Sequence, residues 1–266
     1  MRGRTLDRRA RLAQRAMRHM YDLGTLMTDE SVLRQAMLVP PDRVLARLPA
    51  MGKVMVVVQD GGVTHERIGV VERIAMADGC VAVTGAAHDC VLDPARIASV
   101  VADRSGRMKD KVLPKLEFLD AEDNLVFSVV GLDGIAGFDE ALGHFPAEPR
   151  NARAKPAGQQ AVLAADDPGS QPFAAARGAE TEIAVAMSKA GLIQRWRGFV
   201  PAINPAMGFI NIIAPDFHLH IRGGTVASWE RAAADAVGEV RLAALDGEGR
   251  PVGLTLQGPR GAFEPA

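Results

Sequence analysis

Cys80-Val81-Ala82-Val83, followed by His88-Asp89-Cys90-Val91-Leu92, returns 129 residues later as Phe209-Ile210-Asn211-Ile212, followed by Phe217-His218-Leu219-His220-Ile221. Both versions read as pairs of short strands. Glycines carry the same displacement: Gly62, Gly69 and Gly79 recur as Gly191, Gly198 and Gly208, and glycine marks places where the backbone needs positive φ or a close approach. Ala98-Ser99 matches Ala227-Ser228. After a three-residue slip, Leu119 to Asn124 matches Leu245 to Arg250, so the insertion falls in a loop. Self-similarity at a fixed offset is the mark of a duplicated structural unit.

Each copy reads as mostly antiparallel sheet. Val54 to Val58, a Gly61-Gly62 turn and Val63 to Ile68 make a hairpin, because two β-branched runs flank a glycine pair. A second hairpin runs from Leu116 to Leu119, turns at Asp120 to Asn124 and returns from Leu125 to Val130; Asp246-Gly247-Glu248-Gly249 is the other copy's turn. Strands joined by short turns argue against a Rossmann-type parallel sheet, and no glycine-rich phosphate loop follows a strand. Helices concentrate at the front: residues 6 to 22, residues 29 to 38 capped by Thr28 or Asp29, and Asp42 to Ala46. Phe138 to Phe145 closes the first copy. The expected class is α+β, with two tandem repeats, each a mostly antiparallel sheet with flanking helices. Residues 1–50 are N-terminal helices, 51–147 the first β-rich repeat, 148–174 a Pro/Ala/Gly-rich linker and 175–266 a shortened second repeat. The linker assignment rests on weak apolar periodicity, as at Asp166-Asp167-Pro168-Gly169-Ser170.

Composition bounds the function. With 266 residues, 48% of them apolar, the chain can bury one large core or two smaller ones. Lys plus Arg (31) nearly cancels Asp plus Glu (32), so there is no bulk attraction to nucleic acid or an anionic surface. Seven arginines lie within the first eighteen residues, but no stacking aromatics accompany them, and Leu12, Ala13, Ala16, Met17, Met20 and Leu23 give one amphipathic helix with a solvated basic face. Apolar runs such as Val54 to Val58 are too short to cross a bilayer. Two cysteines, Cys80 and Cys90, build no disulfide framework, which with the lack of an apolar signal segment favours a reducing cytoplasm.

Few residues carry chemistry. The histidines at 19, 65, 88, 144, 218 and 220 show no zinc-type spacing, there is no Gly-x-Ser-x-Gly elbow, and neither cysteine lies in a nucleophile signature. His218 and His220 share one face of a strand and either line a pocket or hydrogen-bond in a partly buried seam. Trp196, between Arg195 and Arg197, either stacks a planar ligand or covers the sheet. Glu117, Asp120 and Glu122 read as solvated turn carboxylates.

The stretch Phe209-Ile-Asn-Ile-Ile-Ala-Pro-Asp-Phe-His-Leu-His-Ile-Arg222 resembles the Asn-Val-x-Asp-x-x-Phe-Asn-Leu-His-Leu-Arg signature of the HemS/ChuS/ChuX haem-utilisation proteins. Leu116 to Asp123 is similar to that family's Leu-Gln-Phe-Phe-Asp-x-x-Gly hairpin, and Leu256 to Glu264 to its Tyr-Gly-x-Arg-x-x-Gly-x-x-Glu ending. The likeness spans roughly residues 30 to 145 and 180 to 266. It implies two sheets of about nine strands packed back to back. Haem, or a related porphyrin, would lie in a cleft between the repeats, held by an axial histidine, arginines and an aromatic. By this resemblance Arg260 stands on the propionate side and Phe217 is a pocket aromatic. The departures are specific. Residues 146 to 191 contain no histidine where the family places its axial ligand, Asp89-Cys90-Val91 lacks the arginine of an Asp-Leu-Arg motif, Gln257 replaces a tyrosine, and Ala232 to Asp235 replaces an Arg-Lys-Pro-Thr loop.

The sequence thus leads to a cytoplasmic haem-binding or haem-trafficking protein, with degradation implied only by resemblance and no catalytic residue assigned. Its expected contacts are His218, His220, Phe217, Arg222, Arg260, His88 and Trp196, with His218 and His220, or else His88 or His144, on iron. The competing reading is a non-catalytic interaction or regulatory protein that kept the duplicated fold and lost haem. Monomer and homodimer both stay open.

Overall fold

The computed structural model describes residues 33–151, 162–234 and 236–264. The first copy runs β1 Arg34–Met37, α1 Pro41–Leu45, β2 Lys53–Asp60, β3 Val63–Val70, β4 Arg73–Ala77, β5 Cys80–Gly85, β6 His88–Leu92, β7 Ser99–Asp103, the small pair β8 Arg107–Met108 and β9 Lys111–Val112, β10 Lys115–Leu119, β11 Leu125–Gly131, α2 Ile135–Leu142 and β12 Ala147–Pro149. The second runs α3 Gln171–Gly178, β13 Glu182–Lys189, β14 Leu192–Phe199, β15 Ile203–Ala206, β16 Phe209–Ala214, β17 Phe217–Arg222, β18 Ser228–Ala233, β19 Glu239–Leu245 and β20 Pro251–Pro259. From β2/β13 to β7/β18 the strands keep the offset of the glycines. Gly79 and Gly208 close equivalent turns at φ of 77° and 80°. Past the slip, Asp120 Oδ1 accepts the amides of Glu122 and Asn124 just as Asp246 Oδ1 accepts those of Glu248 and Arg250.

The copies do not fold as separate sheets. Among the described residues the first sheet has ten strands in the order β12-β1-β7-β10-β11-β2-β3-β17-β16-β15, and the second has eight in the order β18-β19-β20-β13-β14-β6-β5-β4. The first sheet is therefore seven strands of the first copy, and the second sheet five strands of the second, each extended by the three-stranded meander of the other copy, and every pairing is antiparallel. The counts are ten and eight where about nine each were expected: a common plan of eight strands gains the margin β1 and β12 in the first sheet only.

The two sheets enclose one core. Alternation along β2, β3 and β17 sends Val54, Val56, Val58, Val63, Phe217, Leu219 and Ile221 inward with no exposed surface, as it does Ile183 and Val185 on β13. Where the copies meet, His65 and its positional equivalent Gln194 are both fully buried, and the Gln194 amide donates to His65 Nδ1 at 3.0 Å and to the Val56 carbonyl at 3.2 Å. The Gln194 amide nitrogen is satisfied there, while its Oε1 is buried with no partner.

Three expectations are corrected. The helix expected over residues 29 to 38 is strand β1 from Arg34 to Met37, while the rest of the segment, like the helix over 6 to 22, falls largely outside the described residues. Tertiary pairing overrides local propensity here: Arg34 is buried and ion-paired with Glu117 across the sheet, which also removes Glu117 from the solvated turn acids. The end of the expected linker is built into the fold. Asp167 is buried and accepts the amides of Gly169 and Gly224 at 2.9 and 2.8 Å, and the Pro168 carbonyl accepts the Trp229 indole N–H at 2.9 Å. Phe173 of α3 then buries fully. A segment with one apolar anchor and several backbone-directed bonds leaves no periodic signal. The short helix expected from Asp42 is present as α1, with Pro41 in its first turn. Cys80 and Cys90 are both free thiols, and burial pushes Cys90 up to about 12.

Candidate functional site

Alternation along β17 divides the sequence-derived site into two faces. Phe217 points into the core and stacks on Trp196 at 4.4 Å between centroids and 11° between planes, with the His65 ring 4.9 Å away. Trp196 is 6% exposed, so it covers the sheet from inside. Gly198 makes room for it, since a Cβ at that position would lie 2.5 Å from the indole. The seam expected to sandwich a macrocycle is filled with side chains, and that expectation is corrected: residues spaced for an inward face are there to close the core.

At one mouth of the seam a crevice of about 400 Å³ remains, lined among others by Arg67, His88, Arg195, Trp196, Arg197 and Gln257. Arg67 is 5% exposed and reaches the Asp216 carboxylate at 3.1 Å, while its Nε is buried with no partner. Burial lowers the His88 pKa, so the ring is neutral; Nε2 donates to the Gly69 carbonyl at 3.1 Å and Nδ1 is buried and unpartnered. Arg195 sits 3.3 Å from Asp89. His88 and Trp196, which the sequence nominated separately, meet here.

His218 and His220 stand on the opposite, outward face of the first sheet, their side chains 29% and 28% exposed. They face Glu66, the cross-strand partner of His218 on β3. His218 Nδ1 is 3.1 Å from Glu66 Oε2, and His220 Nε2 is 3.8 Å from the same oxygen. Burial alone would raise the Glu66 pKa, but the two imidazoles outweigh it and hold the carboxyl at about 2. Asn211 accepts from His220 Nδ1 at 2.6 Å. Sequence reasoning missed Glu66 and Asn211. Glu66 becomes a neighbour only because β3 and β17 pair across the two copies, a pairing with no local signature.

The remaining candidates lie elsewhere. Arg222 lines a separate cavity of about 740 Å³ with Lys189, Asp60 and Asp246. Arg260 is exposed at the start of the turn Arg260–Phe263, its backbone amide bonded to Gly238. His144 is exposed against Arg47, with 2.6 Å between Nε2 and the guanidinium.

Residues 23–139 match the family described as the haemin-degrading HemS.ChuX domain. Over that stretch, which is less than half of the chain, the sequence is similar to the HemS/ChuX haem-utilisation proteins. No curated protein sequence matches it. Among solved structures it is similar to ChuS, an E. coli haem oxygenase, at 19% identity over 86% of this chain and 84% of that one, with a TM-score of 0.68. It is also similar to holo-PhuS, a haem-binding protein from Pseudomonas aeruginosa, at 17% identity over 89% and 84%, with a TM-score of 0.70. At such identities the HemS/ChuX likeness extends to the fold of both copies, while the matched domain covers the first. Among the described residues no helix is long and apolar enough to cross a membrane.

Proposed function

We propose that this HemS/ChuX-like chain binds haem, or a related dicarboxylate tetrapyrrole, at the crevice of Arg67, His88, Arg195, Trp196 and Arg197, and serves haem trafficking in the cytoplasm. The observation that supports it is the concentration of three guanidinium groups, a tryptophan edge and an unpartnered imidazole nitrogen around one opening. These residues suit the charged edge of such a ligand: Arg195 and Arg197 would hold propionates, and His88 is the nearest imidazole for iron. A bound iron centre would supply any oxidative chemistry, with electrons from an external reductant. The packed seam and the absence of histidine from residues 146 to 191 favour a second reading, a protein that kept the fold and lost haem.

Titrating haemin into purified protein and recording the visible spectrum separates the two. A saturable Soret shift, weakened about tenfold or more in Arg195→Ala/Arg197→Ala and altered in position in His88→Ala, supports binding at the crevice; one tenfold step corresponds to about 1.4 kcal/mol. No shift overturns the proposal in favour of the second reading. Loss of the Soret band on adding ascorbate distinguishes degradation from carriage.

A further inference from the structure

We infer that Glu66, His218 and His220 form a mononuclear binding site for a divalent transition metal, separate from the crevice and independent of haem. Their ligand atoms all lie within 4.8 Å of one another, on one face of the first sheet. Two imidazoles and one carboxylate on a single face, with the remaining positions open to water, are a donor set suited to zinc or ferrous iron.

The hydrogen bonds around His220 orient the ring for a cation. The Asn211 amide nitrogen donates to the carbonyls of Asn204, Ala206 and Phe209 at 3.0, 3.3 and 3.3 Å, which fixes the orientation of that side chain. Asn211 Oδ1 is thereby turned to His220 Nδ1 and can only accept, so Nδ1 carries the proton. Nε2 is then the nitrogen left to face Glu66 Oε2, across 3.8 Å. That separation exceeds hydrogen-bond length, so the nitrogen and the carboxylate oxygen are near each other without being bonded. It is close to the spacing of two ligands on one metal: with bonds of about 2.1 Å, neighbouring ligand atoms lie about 3.0 to 3.4 Å apart. The His218 contact to the same oxygen, at 3.1 Å, already has that spacing, with a proton where the metal would sit. An outer residue that orients a ligating histidine through its second nitrogen is a recurrent feature of metal sites, and Asn211 occupies that place. At the equivalent positions of the second sheet the trio is replaced by Arg195, Asp89 and Val91, whose guanidinium and carboxylate pair at 3.3 Å and offer no comparable donor set.

The test uses the haem-free full chain, so loss of haem binding bears on the preceding proposal and not on this one. Cobalt(II) is titrated by visible absorption, with zinc as competitor. The expected result is saturation at one equivalent with d–d bands that zinc displaces, affinity reduced more than tenfold in Glu66→Gln and His218→Asn, and reduced about 10- to 100-fold in Asn211→Leu. Glu122→Gln, at an exposed turn carboxylate, serves as an unaffected control. In the wild-type chain, diethyl pyrocarbonate labelling read by mass spectrometry should show His218 and His220 protected by zinc and His144 unprotected. Absence of cobalt bands, affinity unchanged in Glu66→Gln, or labelling of His218 and His220 unchanged by saturating zinc would each overturn the assignment.

Discussion

Replacing His65 by glutamine puts into the first copy the residue that the second copy carries at the same position. His65 is fully buried, and burial lowers its pKa from 6.5 to about 3, against weaker opposition from the Val185 carbonyl. The neutral ring is matched to its surroundings: Nε2 lies 3.4 Å from that carbonyl as donor, and Nδ1 accepts from Gln194 at 3.0 Å. Below pH 6.5 the unfolded chain protonates this histidine while the native one does not until about pH 3, so stability falls as the pH drops through that window. Each pH unit is worth about 1.4 kcal/mol, which makes the loss about 2 kcal/mol on going from neutral pH to about pH 5. His65→Gln keeps an acceptor for Gln194 and a donor for Val185 and removes the titration. Urea unfolding of both proteins near pH 8 and near pH 5 should give a stability difference larger in the wild type by about 2 kcal/mol. Other titrating groups contribute equally to both proteins and cancel. Equal pH dependence in the two would refute the claim that His65 is held neutral in the core.

Four further outcomes are expected. Phe217→Ala opens a cavity beside Trp196 and should cost about 3 to 5 kcal/mol by denaturant unfolding. Asp167→Ala removes the acceptor for two backbone amides and should cost about 1 to 3 kcal/mol, with faster proteolysis near residue 167. Glu117→Leu leaves the Arg34 guanidinium buried beside an apolar side chain and should cost about 3 to 5 kcal/mol, most of it restored in Arg34→Met/Glu117→Leu. Gly198→Ala should alter the near-ultraviolet circular dichroism of the Trp196–Phe217 stack with little change in far-ultraviolet signal, because the added methyl meets the indole and not the backbone.

What the sequence revealed and what it hid follow one division. Local alternation and turn chemistry are written into neighbouring residues, so the duplication, the Asp120 and Asp246 turns and the shared face of His218 and His220 were all legible. Exchange of the β4–β6 and β15–β17 meanders was not, because nothing local states which copy a strand joins. That exchange brings Glu66 to His218 and turns two isolated histidines into a three-residue cluster. It equally explains why Phe217, nominated as a ligand contact, is core: register across the seam, rather than residue type, decides which aromatic faces a cavity. Arg34 shows the same effect for helix against strand, since its partner Glu117 lies 83 residues away.

Duplication followed by exchange also explains why the two outward faces differ in chemistry while the inward faces stay alike. Val56, Val185, Leu92 and Ile221 must interdigitate in one shared core, and a polar change at any of them leaves an unpaired group without water. His65 and Gln194 are tolerated there because each bonds into the other's strand. Outward positions carry no such mutual constraint. Positions 66, 218 and 220 can therefore hold a carboxylate between imidazoles while positions 195, 89 and 91 hold an ion pair beside an apolar residue, on the same backbone geometry. Three outward differences on matched strands are enough to give one sheet a carboxylate between two imidazoles and the other an ion pair.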